Sequence, residues 1–142
     1  MIKNKGGFTL IELIIVASIL GILAAIAIPK YADAIEKANL GATLGNLATL
    51  RSAVSMYYSG YFALPSTIDV EQCSEMREII GESMPYVKVR RPILNSPYGK
   101  NVTVGISHPT SMDSGWYYNN KNGSVYINSI ANDVQGYCYT IY

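Results

Sequence analysis

One carboxylate interrupts an otherwise uncharged apolar run. Glu12 lies within Phe8–Ile28, a stretch of 21 residues closed by Pro29. On insertion scales a carboxylate in a membrane helix costs about 2.5–3.5 kcal/mol. That cost has a use if Glu12 meets a cation inside the same apolar layer. The nearest source is a free α-amino group, which cleavage in front of Phe8 would create four residues from Glu12. The preceding residues, Met1-Ile-Lys-Asn-Lys-Gly-Gly7, are short, basic and free of acids.

A helix is the element that must carry this pair. At about 1.5 Å per residue, Phe8–Ile28 spans roughly the 30 Å of a hydrocarbon core. Lys3 and Lys5 would stay on the cytoplasmic side and leave the C-terminal body outside. Two other readings stand beside this one. A secretory signal peptide has an apolar region of about 7–15 residues and a small-residue cleavage site. This run is longer, and nothing after Pro29 has that form. A plain one-pass anchor has no use for Glu12.

The stretch Lys5-Gly6-Gly7-Phe8-Thr9-Leu10-Ile11-Glu12-Leu13 closely resembles the leader and mature start of type IV pilins and type II secretion pseudopilins. The resemblance implies that Gly7 ends a leader read by a membrane prepilin peptidase. It implies that Phe8 becomes the mature N-terminus and is N-methylated. Glu12 would then pair with the Phe8 amine, that of a neighbouring subunit, and set axial register, with Thr9 beside the contact. Pro29 falls where many of these proteins carry a helix-kinking proline. The implied organisation is a leader over 1–7, a membrane and filament-core helix over 8–28, its amphipathic continuation over 29–60 and a globular body over 61–142.

Beyond Lys30 the pattern becomes amphipathic. Tyr31, Ile35, Leu40, Leu44, Leu47, Leu50, Val54 and Tyr57 recur mostly three and four apart, a helical stripe able to cover a core. One long helix from near Phe8 to about Gly60 follows. Asp69-x-x-Gln72 is a helix-cap pattern. Val70, Cys73, Met76 and Ile80 follow it at helical spacing, with Gly81 as the stop. Strand signals cover Val87–Arg90, Val102–Ile106, Trp116–Tyr118, Val125–Ile127 and Tyr137–Ile141. Asn122-Gly123 between two of these runs predicts a hairpin. The fold expected is α+β and type IV pilin-like, a long N-terminal helix packed on a C-terminal antiparallel sheet.

The rest of the chain offers little chemistry. His108 is the only histidine and precedes Pro109 in a loop pattern. There is no nucleophile elbow, phosphate-binding glycine loop or paired-histidine motif, so no catalytic set and no enzyme is expected. No metal or cofactor is expected; Asp113 and Asp133 are the residues weighed for calcium, at a spacing that matches no known loop. Apart from Lys3, Lys5 and Glu12, nine basic and nine acidic residues balance. That balance argues against a nucleic-acid partner, although Lys88, Arg90 and Arg91 cluster. Cys73 and Cys138 allow one bridge, the natural reading for an exported body. It would close a loop of about 65 residues, for which chain-entropy models give roughly 4 kcal/mol. Twelve tyrosines stand against two phenylalanines, which suits strands and half-buried contacts between subunits.

The expected function is that of a structural subunit of a pilus-like filament serving adhesion, twitching motility or DNA uptake. A type II secretion pseudopilin is the alternative, and a membrane-anchored protein outside any filament the remote one. The expected partners are identical or related subunits, the prepilin peptidase and the pilus or secretion assembly machinery. The expected location is the inner membrane as precursor, then an extracellular pilus, or the periplasm for a pseudopilin.

Overall fold

The computed structural model describes residues 7–89, 99–107, 109, 115–129, 132–133 and 135–142. Two compact units divide at Ile35, Met1–Ile35 and Glu36–Tyr142. One helix, α1 (Leu10–Tyr61, 52 residues), belongs to both. It continues through Pro29, whose missing N–H removes the bond to the Ala25 carbonyl without ending the element. The expected helix is therefore present at nearly its expected bounds.

In the first unit the apolar side chains are uncovered. Leu10, Ile22 and Ile28 are 76%, 64% and 68% exposed. Helix α1 contains a segment long and apolar enough to cross a membrane. The amphipathic stripe becomes buried only further along. Tyr31 and Ile35 remain exposed, Leu40 and Leu44 are partly covered, and Leu47, Leu50, Ala53 and Val54 are buried.

In the second unit those helix residues pack against a three-stranded sheet of order β1-β2-β3, made of β1 (Val102–Gly105), β2 (Trp116–Asn119) and β3 (Ser124–Ile127). Trp116, Tyr118, Val125 and Ile127 complete the core with Ile68, Met76 and Val87. The β2–β3 hairpin is antiparallel, in register Trp116↔Ile127 to Asn119↔Ser124. Gly123 closes its turn at φ +74°, a backbone region glycine enters without a Cβ penalty.

The sheet is mixed, where an antiparallel one was expected. β1 runs parallel to β2, Val102↔Trp116 to Gly105↔Asn119. Alternation of side chains is the same in both senses, so the pattern carries no direction. The pair is closely packed. Tyr117 lies so near Gly105 that an added Cβ would meet its hydroxyl oxygen at 1.9 Å.

Other expected strands also differ. Val87 makes only an isolated bridge to Gly99. The adjoining backbone is tied to α1 instead: Lys88 N–H donates to Thr43 Oγ1 at 2.9 Å and Asn46 Nδ2 donates to the Tyr86 carbonyl at 2.9 Å. Arg90 lies outside the described residues. Tyr137–Ile141 is a bridge at Cys138 followed by a short 3-10 helix, Tyr139–Ile141. The Asp133 carboxylate there accepts the N–H groups of Gln135 and Tyr137 and the Tyr142 hydroxyl. A local turn thus takes donors that a strand would give to a neighbour. The second helix, α2 (Ser74–Ile80), starts later than expected. Asp69 accepts from Glu71 N–H and Gln72 Nε2 in a turn before it. Gly81 ends α2 at φ +110°.

Polar groups in the core are satisfied. Trp116 Nε1 donates to the Pro85 carbonyl at 2.7 Å and the Tyr118 hydroxyl to the Pro65 carbonyl at 2.9 Å. Burial pushes the phenols of Tyr118 and Tyr139 up to about 12. Unfolded tyrosine ionises near 10, so between these values the unfolded state binds fewer protons. The stability contributed is complete below about 10 and lost as pH rises toward 12. Spectrophotometric titration of the folded chain should therefore show two of its tyrosines ionising well after the exposed ones. A single transition near 10 would contradict this packing.

Candidate functional site

The first turn of α1 builds the site. The leading N–H groups of a helix have no intrahelical partner, and hydrocarbon offers none. Thr9 stands one residue before α1 and Glu12 in its first turn. Glu12 Oε2 accepts from Thr9 N–H at 2.9 Å and from Thr9 Oγ1 at 2.8 Å. Glu12 N–H in turn donates to Thr9 Oγ1 at 3.3 Å. This is a reciprocal capping box, and it places a negative charge at the positive end of the helix dipole.

The arrangement adds a hydroxyl and amide partner to the cation expected for Glu12. In the uncut chain Thr9 already engages one of its two oxygens, Oε2. The sequence carried this signal as Thr9-x-x-Glu12, a spacing sequence reasoning passed over in favour of the amine. Gly7 and Phe8 precede the helix in irregular, exposed backbone. Among the described residues nothing lies within 4 Å of a Cβ built on Gly7. Lys3, Lys5 and the rest of 1–6 lie outside the described residues.

The structure does not show the expected disulfide, and Cys73 and Cys138 are free thiols in it. Cys73 Sγ lies 3.4 Å from Glu75 Oε2, and Cys138 Sγ lies 3.1 Å from Thr140 Oγ1. The two thiols sit among different neighbours. Cys73 opens α2, whose Ile79 lies beside Thr49 and Met56 of α1. Cys138 opens the 3-10 helix that contacts β3, on the side where Arg51 donates to the carbonyls of Val125 and Tyr142. Arg51 and Thr49 project roughly 160° apart around a helix of 3.6 residues per turn.

Of the residues weighed for calcium, Asp133 has both carboxylate oxygens engaged by protein donors. Burial alone would raise its carboxyl, but bonds from Tyr142, Tyr137, Gln135 and Gly136 outweigh that and hold it below the ordinary carboxylate value. Asp113, His108, Arg90 and Arg91 lie outside the described residues. Among the described residues no group of three or more His, Cys, Asp or Glu side chains lies together.

Comparison with known proteins bears on the helix start. Residues 2–28 match the family model described as the prokaryotic N-terminal methylation motif. The proteins similar to the chain over its N-terminal part include type IV pilins and a type II secretion core protein. The type IV major alpha-pilin of Moraxella bovis is 44% identical over 75 residues, 53% of this chain and 45% of that protein. The fimbrial protein of a Neisseria meningitidis serogroup A strain is 34% identical over 90 residues, 63% of this chain and 53% of that protein. The type II secretion system core protein G of Pseudomonas aeruginosa is 38% identical over 65 residues, 46% of each chain. The chain thus spans about half the length of the relatives it matches. No solved structure gives a significant match. The methylation motif therefore covers Gly7, Phe8, Thr9, Glu12 and the apolar half of α1.

Two measurements test the geometry. In detergent micelles Glu12→Ala should speed hydrogen exchange at the Thr9 amide several-fold, because the carboxylate that holds it is gone; unchanged exchange would remove the capping box. Thiol alkylation without reductant should label both cysteines, the partly exposed Cys138 before the buried Cys73. Recovery of a Cys73–Cys138 crosslinked peptide would overturn the free-thiol arrangement.

Proposed function

We propose that this chain is a structural subunit of a type IV pilus-like filament. The observation that carries the reading is an apolar helix left uncovered by its own chain, headed by the methylation motif and by Glu12. An exposed apolar helix needs lipid before assembly and other helices after it. The precursor accordingly sits in the inner membrane with its body outside the cytoplasm. A prepilin peptidase cuts between Gly7 and Phe8, and Phe8 is N-methylated. The new amine at Phe8 then competes with Thr9 for Glu12. A charged partner forms the stronger, charge-assisted contact, and an amine from a neighbouring subunit sets the register. The fibre serves adhesion, twitching or DNA uptake as a scaffold rather than as an enzyme.

A second reading has its own support. The resemblance to a type II secretion core protein makes a periplasmic pseudopilus the alternative product of the same helix chemistry.

Filaments sheared from producing cells and analysed by N-terminal mass spectrometry decide between them. Methylated Phe8 in abundant surface fibres supports the pilus, and material confined to the periplasm supports the pseudopilus. Glu12→Ala should leave cleavage largely intact and abolish incorporation. Normal incorporation of that variant would remove the register role.

A further inference from the structure

In the unit Glu36–Tyr142, α1 has a groove along each side of its outer surface. One lies between α1 and the β2–β3 turn and has a volume of about 360 Å³. Arg51, Ser55, Tyr58, Leu64, Lys121 and Asn122 line it, and no acidic residue does. The other lies between α1 and α2, with a volume of about 370 Å³, lined by Thr49, Ser52, Met56 and Ile79 among others and by no basic residue.

The charges flanking the two grooves are opposite. Segment 69–82, which contains α2, holds five acidic residues and one arginine, and Lys100 pairs with one of the acids, Glu71, at 3.5 Å. The arginine, Arg77, is turned onto the Val70 carbonyl at 2.9 Å. Glu78 and Glu82 are exposed, and neither makes an ion pair or side-chain hydrogen bond among the described residues. On the opposite flank, residues 115–129 contain one charged side chain, Lys121. It is exposed, and only its backbone N–H is bonded, to Asn119 Oδ1. Each groove also offers an apolar contact, Tyr58 at 52% exposure on one side and Met56 at 58% on the other.

Because the flanks lie on opposite sides of α1, one copy cannot bring its own charges together. A two-fold contact between like flanks would set Lys121 against Lys121, or acid against acid. A contact between unlike flanks satisfies both and is heterologous, the type that continues from copy to copy into a helical fibre. We propose that the Lys121 flank of one copy docks on the Glu78–Glu82 flank of a second copy. This lateral contact rests on the filament reading above and adds to it a second interface, in the body rather than in the apolar helix.

The test uses the full chain in producing cells, with yield of sheared filament read against the cleaved membrane pool. Lys121→Glu should lower filament yield about tenfold by placing like charges together. The pair Glu78→Lys with Glu82→Lys should do the same. All three substitutions together should restore most of the yield. A normal pool of cleaved subunit in each case excludes a folding failure. Unchanged yield in either charge-reversed form, or no recovery in the combined form, overturns the contact. If those forms assemble normally while Glu12→Ala does not, the filament reading stands and the lateral contact falls. If the unaltered chain is cut but never enters a filament, both fall.

Discussion

A helix that is apolar all round cannot be satisfied by a body of about a hundred residues. Everything else in this chain follows from that constraint. Between Leu10 and Ile35 the side chains of α1 have no cover. From Thr43 to Val54 one stripe is buried under the sheet. A single element therefore faces two environments. The sheet need be only wide enough to cover the second, which three strands of four residues do.

Much of this was legible because it rests on periodicity. The change near Lys30 from all-apolar to a stripe announces the covered part of α1, although cover begins only about ten residues later, at Leu40, and the Asn122-Gly123 turn locates the hairpin. The direction of β1 was not legible, since alternation is blind to strand sense. The C-terminal segment was misread for a different reason. Its tyrosines favour strands, but one buried carboxylate, Asp133, organises the backbone around itself. Val87 likewise has strand composition, yet the backbone beside it is held by Thr43 and Asn46, contacts between residues 45 and 40 positions apart.

The helix start was legible as residue types and only half legible as geometry. Gly7, Phe8 and Glu12 stand out by spacing alone. That Glu12 already has a partner in Thr9 needed coordinates, although the four-residue pattern was in view. The cysteines show the converse. Two thiols in a chain with an export-like start invite pairing, but pairing requires proximity, which sequence spacing does not supply.

The ties between α1 and its cover have a mechanical side. Thr43, Asn46 and Arg51 occupy a little over two turns of helix, and each reaches a different backbone carbonyl or amide beside it. A pull along the axis of α1 would load these links together, with the buried stripe between them, rather than one after another. Links loaded side by side share the force and fail collectively. The body would then resist tension as one rivet line, while sideways peeling would meet the same contacts singly.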